Sequence, residues 1–370
     1  MSIKEYLKSK KILYPLILLK HIFEAGWVFD LFGIRRKPRT LQFPITSKCN
    51  SRCVTCNIWK YHEKNDVDCQ KLIHLFKHPF FSKVSSVGLN GGEPTLHPKF
   101  TDVVNAVLTL PKLKGITLIS NCINSEKLLR LLQEIYPICK EKCVKLHLQI
   151  SLDGIGDVHN EIRGASVSFE RTLNTLNELC AHKDKYLDTF DIGCTISCRN
   201  VDYLAQFEDY ISDYDVPVYY HLAVPNKRIH NFDDAPFSVL TDRHATQMAK
   251  EFFYTRSLKA CDILEKIRCT LIYLYLAGKT KKRMFMCSYL YQDVTINECL
   301  DTFLCATASD KVGSMENGVP AYNAYNKLVK NTKQHCGLCI HYANHPNLRG
   351  LWTYFRYRLS TRKWLNSYKM

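Results

Sequence analysis

Short apolar runs alternate with helix-like stretches between residues 39 and 225. The runs predict six buried strands, and residues 169–181, with leucines three positions apart, are typical of the helices between them. Strands that alternate with helices indicate an α/β fold with a parallel sheet and right-handed crossovers. Such sheets bind ligands at the carboxyl ends of their strands. The six predicted strands are residues 41–46, 84–90, 116–119, 144–154, 190–197 and 216–222.

The alternation stops after residue 225. A loop and two helices, at 242–253 and 261–276, are predicted next, followed by a hairpin-like segment at 291–301. The chain of 370 residues is 46% hydrophobic and 23% charged, which excludes a wholly disordered chain. Its length also excludes a small disulfide scaffold, although 17 cysteines are present.

Both ends of the chain are apolar and basic. Residues 1–40 carry nine basic and three acidic side chains, and residues 346–370 carry six basic and no acidic ones. Each segment therefore contributes +6 to the net charge of +16. No apolar run approaches the ~20 residues that cross a bilayer, and no small-x-small cleavage site follows the first apolar run. We expect both ends to dock on the body of the protein, and contact with an anionic membrane surface is the alternative.

Three cysteines follow the first predicted strand. Cys49, Cys53 and Cys56 have the spacing C-x3-C-x2-C. A structural zinc site usually has four ligands, so three thiolates leave one metal position open. Thiolates also suit iron–sulfur clusters, and an iron with an open position binds a substrate or cofactor.

This motif resembles the signature of the radical S-adenosylmethionine enzymes. The resemblance implies a partial (βα)6 TIM-like barrel in which the three cysteines hold a [4Fe–4S] cluster and the fourth iron binds S-adenosylmethionine. It further implies reductive cleavage of S-adenosylmethionine to a 5′-deoxyadenosyl radical, with electrons from a reductant of the flavodoxin or ferredoxin type. Thr55 departs from the family pattern, since an aromatic residue usually precedes the third cysteine.

Further residues lie where the family has its cofactor contacts. The sequence Gly91-Gly92-Glu93-Pro94 ends the second strand and resembles the motif that contacts the methionine amino group. The resemblance also implies roles in cofactor binding for Asn121, Ser151, Asp153 and Arg163. The structural alternatives are a plain turn at the glycines, a helix cap at Asp153 and a surface ion pair at Arg163.

A second cysteine group follows the helices. Cys287, Cys305, Cys336 and Cys339 have the spacing C-x17-C-x30-C-x2-C, which four-thiolate zinc sites share. The resemblance instead favours a second, auxiliary [4Fe–4S] cluster in a domain of the SPASM or twitch type. Cys299 stays ambiguous between a ligand and a turn residue, and the other nine cysteines are expected to be structural.

We therefore expect a cytoplasmic radical S-adenosylmethionine oxidoreductase that dehydrogenates a polyol, an amino sugar or a polysaccharide precursor. A peptide or protein maturase is the alternative within the family, and a zinc-stabilised nucleic-acid-binding protein is the alternative outside it. No nucleic acid is expected as a partner because the charge lies at the ends. His221 and Tyr220 are candidates for the proton-accepting or radical-quenching residue. The expected organisation is an N-terminal extension (1–38), a partial barrel (39–225), a helical linker (226–285), an auxiliary-cluster domain (286–345) and a basic aromatic tail (346–370).

Overall fold

Nine strands form one continuous sheet in a computed structural model of the protein. The structure describes residues 37–61, 63–229, 231, 235–280, 282–290, 292–305, 307–320, 324–325, 336–337, 339–341 and 345–367. Most of the predicted N-terminal extension lies outside these residues, as does part of the predicted auxiliary-cluster domain. The strands are β1 (Thr40–Thr46), β2 (Ser86–Gly91), β3 (Gly115–Ser120), β4 (Lys145–Ser151), β5 (Thr189–Ile196), β6 (Val218–Leu222), β7 (Val294–Ile296), β8 (Asp301–Phe303) and β9 (Lys311–Ser314).

The strand order confirms the predicted α/β fold with an open, mostly parallel sheet. The sheet runs β6-β5-β4-β3-β2-β1-β7-β8-β9, and β1 to β6 are parallel throughout. The described helices are α1 (Cys69–Leu75), α2 (Phe100–Val107), α3 (Ser125–Glu141), α4 (Asp157–Arg163), α5 (Ser168–His182), α6 (Leu204–Ser212), α7 (Arg243–Lys259), α8 (Ile263–Leu276) and α9 (Leu348–Ser367).

The two faces of the six parallel strands differ in chemistry because successive side chains point to opposite sides. The outer face is apolar and packs against the helices, and residues such as Leu41, Phe43 and Leu148 are fully buried there. The inner face is polar, unlike the branched apolar filling of a closed barrel. Its members include Gln42, Asn90, Thr117, His147, Gln149, Ser151, Asp191, Thr195, Tyr219 and His221.

The predicted hairpin extends the barrel sheet directly. Strand β7 pairs in parallel with β1, through Leu41 and Val294, and β8 and β9 then add antiparallel. Asp293 strengthens this junction, since its Oδ1 accepts a hydrogen bond of 2.9 Å from the backbone N–H of Thr40. The sheet thus continues from the predicted barrel into the segment that was expected to form a separate domain.

The region between the two predicted domains is only partly helical. Residues 226–229 and 231 form a loop with one turn of 3-10 helix, and α7 and α8 follow. The C-terminal helix α9 packs against α8 through Tyr357, whose ring lies 6.0 Å from that of Tyr273. Within the described residues, no helix is both long enough and apolar enough to cross a membrane.

Candidate active site

The loop that carries Cys49, Cys53 and Cys56 lies at the carboxyl end of β1. Backbone hydrogen bonds join it to the end of β2, from Gly92 N to Thr46 O (2.7 Å) and from Glu93 N to Lys48 O (2.8 Å). A β-carbon on Gly92 would lie only 2.0 Å from the carbonyl oxygen of Lys48. The glycine pair is therefore required for this close contact between the two loops.

Helix α4 holds the same loop from the other side. The backbone N–H groups of Arg52 and Val54 donate to the carbonyl groups of Arg163 (2.8 Å) and Ile162 (2.9 Å). Gly164 ends the helix with a φ of 62°, and a β-carbon there would lie 2.6 Å from the carbonyl oxygen of Arg52. The cysteine loop is thus fixed between β2 and α4 by backbone contacts that these glycines permit.

Asn121 is the third anchor of the cysteine loop. Its side-chain amide donates to Asn50 Oδ1 (2.8 Å) and to Ser51 Oγ (3.0 Å). Its neighbour Cys122 adopts a φ of 58°, in the left-handed region that favours glycine. The turn therefore keeps the backbone conformation of a glycine, at a cost of about 1–2 kcal/mol.

Glu93 is buried and has several partners from the protein itself. Its Oε1 accepts hydrogen bonds from Thr95 Oγ1 (2.8 Å) and Ser120 Oγ (2.9 Å), and its Oε2 accepts one from Asn121 N (2.8 Å). Burial raises the pKa of the carboxyl group, although these donors oppose that shift. Glu93 thus ties the ends of β2 and β3 together, while Oε2 keeps one lone pair for a further donor. Pro94 follows it and begins one turn of 3-10 helix.

The three thiols of the loop lie near one another, and burial disfavours the thiolate form of Cys49 and Cys56. Burial raises the pKa of Cys49 to about 12, and the neighbouring thiol of Cys53 and the Glu93 carboxylate add to the shift. Burial likewise raises the pKa of Cys56 to about 11, again with a contribution from Cys53. Iron ligation needs thiolates, and a cluster brings the positive charge that would stabilise them. The donor set and its environment therefore fit an iron–sulfur cluster.

Asp153 and Arg163 form a buried ion pair beside this loop. Arg163 Nη2 lies 2.7 Å from Asp153 Oδ2, and Arg163 Nη1 lies 3.8 Å from the Cys53 sulfur. Burial disfavours the charge on Arg163, but Asp153 and the thiols of Cys53 and Cys49 outweigh it and raise the pKa. Asp153 Oδ1 also accepts a hydrogen bond of 2.8 Å from Thr195 N, so Asp153 joins β4, β5 and α4.

His159 completes this buried group. Its Nδ1 accepts a hydrogen bond of 3.1 Å from Asp153 N, and its Nε2 lies 3.1 Å from Ser168 Oγ. Burial, with a smaller effect from Arg163, lowers its pKa to about 2, so the ring is neutral. Ser151, the remaining predicted cofactor residue, ends β4 on the inner face and is half-buried.

The four cysteines of the second group also lie near one another. Burial raises the pKa of Cys336 to about 12, and the thiols of Cys287, Cys305 and Cys339 contribute to that shift. Cys299 does not belong to this group, because it is exposed and its charged neighbours are Glu298, Asp301, Glu316 and Lys311. No three His, Cys, Asp or Glu side chains stand close enough to hold a single metal ion in the parts of the chain that the structure describes.

Arg283, which no motif in the sequence indicates, links the two ends of the second cysteine group. Its Nε donates to Phe285 O (2.8 Å), its Nη1 to Cys339 O (3.0 Å), and its Nη2 to Met286 O (3.1 Å) and His341 O (3.0 Å). Burial disfavours its charge, but the nearby thiols of Cys287 and Cys339 raise its pKa. The guanidinium thus joins the backbone before Cys287 to the backbone around Cys339.

A loop after β6 connects both cysteine regions. Asn231 Nδ2 donates to Thr55 O (2.7 Å) in the first cysteine loop, and the Tyr61 hydroxyl donates to Arg228 O. Lys227 N donates to Thr307 O (2.6 Å), two residues after Cys305. Residues 226–229 and 231 therefore cross the open end of the barrel, beside a cavity of about 710 Å³ that Tyr61, Arg228 and Glu298 help to line.

The two candidates on β6 lie on opposite faces of the sheet. His221 is on the inner face, where its Nε2 lies 3.0 Å from Thr195 Oγ1. Tyr220 is fully buried on the outer face, against Phe207 and Phe252. The interpretation of Tyr220 as a candidate reactive residue is therefore wrong. Successive side chains of a strand point to opposite faces, so Tyr220 lies in the core while His221 faces the inside of the barrel.

Comparisons with known proteins agree with this geometry. Residues 43–197 match the family model of the Radical SAM superfamily. The chain is 24% identical to the GTP 3′,8-cyclase of Synechococcus elongatus over 223 residues, which are 57% of this chain and 64% of that protein. It is 29% identical to human molybdenum cofactor biosynthesis protein 1 over 202 residues, 49% of this chain and 30% of that protein. The chain thus spans less than two thirds of either relative.

Solved structures show the same fold at low identity. SuiB of Streptococcus suis bound to S-adenosylmethionine is 13% identical with a TM-score of 0.56, and the match covers 89% of this chain and 78% of that chain. The enzyme anSMEcpe with bound AdoMet is 16% identical with a TM-score of 0.58, covering 88% and 97%. These likenesses confirm the predicted partial barrel with an open sheet.

Proposed function

Because residues 43–197 match the family model of the Radical SAM superfamily, we propose that the protein is a radical SAM oxidoreductase. Its substrate is a polyol, an amino sugar or a polysaccharide precursor. The cysteine loop at the carboxyl end of β1 is the observation that carries the proposal, since Gly92 and α4 hold it in place. Cys49, Cys53 and Cys56 would hold a [4Fe–4S] cluster, which supplies the electron for cleavage of S-adenosylmethionine when bound.

Several residues around the loop would bind the cofactor. The free lone pair of Glu93 Oε2 is suited to an ammonium group at the end of β2. Ser151, at the end of β4, offers a hydroxyl group on the inner face. Asp153 orients Arg163 beside the thiols, so the guanidinium supports the negative charge of the thiolates and of a cofactor carboxylate. Gly91, Pro94 and Asn121 would contribute by fixing the backbone conformation of the loops around the cofactor.

The substrate class is supported by the inner face of the sheet. Its side chains are hydroxyl, amide, imidazole and carboxylate groups, which suit a ligand rich in hydroxyl or amino groups. His221, whose pKa is lowered by desolvation, offers an imidazole group on that face. Its contact with Thr195 Oγ1 at 3.0 Å fixes the ring toward the barrel.

The second cysteine group would bind an auxiliary [4Fe–4S] cluster through Cys287, Cys305, Cys336 and Cys339. Removal of one hydrogen atom leaves a substrate radical, so a dehydrogenase needs an acceptor for a second electron, and the auxiliary cluster fits that need. We propose a flavodoxin or ferredoxin type of reductant for the first cluster. A reducing cytoplasm would also keep the remaining cysteines as thiols.

A peptide maturase is the second candidate function. It is favoured by the fold likeness to SuiB, for which a solved structure is bound to precursor peptide SuiA. The polar inner face favours the oxidoreductase. Formation of a modified residue in a peptide, with no sugar or polyol consumed, would favour the maturase instead.

The deciding experiment begins with anaerobic purification of the full chain. We expect about eight irons per chain, for two four-iron clusters, and formation of 5′-deoxyadenosine after reduction with dithionite. Replacing Cys49, Cys53 and Cys56 together by alanine should abolish 5′-deoxyadenosine. The matched control replaces three exposed cysteines, Cys143, Cys180 and Cys261, by alanine and should retain it.

Two results would contradict the proposal. A colourless protein that contains zinc and no iron would favour the zinc-stabilised nucleic-acid binder. If the variant that lacks Cys49, Cys53 and Cys56 still cleaves S-adenosylmethionine, these cysteines do not hold the first cluster.

A further inference from the structure

A carboxylate on the inner face of the barrel lies between a glutamine and a histidine side chain. Asp191, on β5, has a side chain that is 14% exposed. Gln149 Nε2 donates to its Oδ1 (3.0 Å), and His147 Nε2 lies 3.1 Å from its Oδ2. In the described part of the chain, His147 is the sole ion-pair partner recorded for this carboxylate. Each oxygen therefore keeps a lone pair for one more donor.

The histidine in this group is held in place from its other side. His147 Nδ1 lies 2.9 Å from the Thr189 hydroxyl, which can donate to it when Nε2 carries the proton. In that tautomer the ring donates to Asp191 Oδ2. The carboxylate is therefore held in a fixed position on the inner face of the barrel.

A glycine beside this carboxylate leaves room for the side chain of Gln149. Gly193 follows two residues later on the same face, and a β-carbon there would lie 2.9 Å from the side chain of Gln149. Its partner on β6 is Tyr219, which is 45% exposed. Thr195 and His221 are the next pair on this face, toward the carboxyl ends of the strands. Asp191, Tyr219, Thr195 and His221 therefore lie around Gly193, where the Gln149 side chain packs against the backbone.

We propose that Asp191, Gln149 and Tyr219 bind the end of the substrate that lies away from the reacting carbon. The ligand class is a ring that carries adjacent hydroxyl and ammonium groups, as an amino sugar does. Such groups donate to the two free lone pairs of Asp191, and the apolar face of the ring packs on Tyr219. This inference rests on the proposed function and narrows its substrate class.

The test is titration calorimetry with D-glucosamine on the anaerobic protein loaded with S-adenosylmethionine. We expect saturable binding that weakens about tenfold to a hundredfold in Asp191→Asn, because a charged hydrogen-bond acceptor is lost. Asp184→Asn, at a side chain that is 95% exposed, is the matched control and should bind as the wild type does. Gly193→Ala should also weaken binding, since its methyl group would displace the Gln149 side chain that donates to Asp191.

Formation of 5′-deoxyadenosine in the same samples separates this inference from the proposed function. If the wild type makes 5′-deoxyadenosine but binds no D-glucosamine, or if Asp191→Asn binds it equally well, the assignment of Asp191 is wrong. If the wild type makes no 5′-deoxyadenosine, the proposed function fails whatever the titration shows. Iron content and the unfolding midpoint of each variant show whether it has folded.

A different observation concerns the C-terminal helix α9. One side of it docks on the body, where Tyr354 is buried and a β-carbon on Gly350 would lie 2.2 Å from the carbonyl oxygen of Met284. The other side exposes Leu348 (51%), Trp352 (66%), Phe355 (56%) and Leu359 (60%). The spacing of four, three and four residues places these side chains along one face of the helix.

The charges beside this apolar stripe are all of one sign. Arg349 and Arg356 are exposed next to it, and residues 346–370 contain six basic and no acidic side chains. A tryptophan near the middle of the stripe is suited to the interface between lipid headgroups and acyl chains. An apolar stripe flanked by arginines is complementary to an anionic bilayer.

We propose that the stripe formed by Leu348, Trp352, Phe355 and Leu359 docks on an anionic membrane surface. Each arginine near such a surface strengthens binding about fivefold, and salt screens this contribution. The apolar side chains add affinity in proportion to the area that they bury in the interface. The contact is peripheral, with the helix lying in the plane of the membrane.

Flotation of the full chain with lipid vesicles tests the docking. We expect binding to phosphatidylcholine vesicles that contain phosphatidylglycerol, weak binding to phosphatidylcholine alone, and loss of binding at high salt. Replacing Trp352 and Phe355 by serine should weaken binding at least about tenfold. The control replaces Leu240 and Leu258, which are 45% and 56% exposed, by serine and should bind as the wild type does.

Two outcomes would overturn the membrane assignment. The first is a wild type that does not float with anionic vesicles. The second is a dimer in light scattering that dissociates in the Trp352 and Phe355 variant, which would make a second copy of this chain the occupant.

Discussion

Arg283 offers the sharpest test of how the second cysteine group is assembled. Its guanidinium donates to four carbonyl oxygens, two near Cys287 and two near Cys339. Arg283→Ala removes all of these donors and also the positive charge that acts on the thiols of Cys287 and Cys336. We expect this substitution to separate the two segments that supply the cysteines.

The magnitude follows from the carbonyl groups that lose their partner. A buried acceptor left without a hydrogen bond costs about 1–3 kcal/mol, so four acceptors cost about 4 kcal/mol even at the low end. Natural domains are stable by about 5–15 kcal/mol in total, so a loss of this size detaches a local segment. Arg283→Lys keeps the charge but lacks the planar fork, and it should recover only part of the loss.

Iron analysis and electron paramagnetic resonance of the dithionite-reduced protein provide the assay. We expect Arg283→Ala to retain about four of about eight irons and to retain 5′-deoxyadenosine formation, because the first cysteine loop is unchanged. Arg283→Lys should fall between the alanine variant and the wild type. A variant that keeps all of its iron and its full stability would refute the argument that these four hydrogen bonds hold the group together.

Three further predictions concern the first site. His159 has a pKa of about 2 in the folded protein and about 6.5 in the unfolded chain. Its contribution to the free energy of unfolding is therefore complete above pH 6.5 and is lost as the pH falls. We expect a loss of about 2 kcal/mol by about pH 5 in denaturant unfolding, and a flatter slope in His159→Gln. Gly92→Ala should cost about 3 kcal/mol, against about 1–2 kcal/mol for Gly278→Ala, where a β-carbon meets nothing. Asp153→Ala should cost about 3–5 kcal/mol because it leaves Arg163 buried without its partner, whereas Lys145→Ala, at an exposed pair, should cost under about 1 kcal/mol. If Gly92→Ala cost no more stability than Gly278→Ala, the argument about the close contact at Gly92 would be wrong. If Asp153→Ala cost no more than Lys145→Ala, the argument about the buried ion pair would be wrong.

The strands were predictable because each is a short apolar run bounded by polar residues. All six predicted strands of the barrel are present, with ends shifted by at most three residues. Periodicity and length carry that information locally. The cysteine spacing was equally local, since all three thiols lie within eight residues after β1. Features that are encoded within a short stretch of the chain, such as a strand or the cysteine motif, could therefore be predicted from the sequence.

The contacts of the predicted site residues were not predictable in this way. Asp153 was expected either to bind the cofactor or to cap a helix, but it pairs with Arg163 and accepts from Thr195 N, 42 residues away. Asn121 contacts Ser51 across 70 positions. Such pairs depend on which strand ends become neighbours in the sheet, and no local pattern encodes that order.

The polar inner face suggests why the motif residues both stabilise the fold and lie at the candidate site. A closed barrel is stabilised by apolar side chains in its centre, whereas this open sheet keeps its centre polar and accessible. Its strand ends must therefore be held by other means. Glu93, Asn121 and Asp153 do this by joining neighbouring strands through buried hydrogen bonds at the end of the sheet where the cysteine loop lies. Substituting any of them should therefore lower stability as well as activity. Within the described residues, the hydrogen bonds of Asp191 join side chains of the inner face, so its substitution should affect substrate binding with little change in stability.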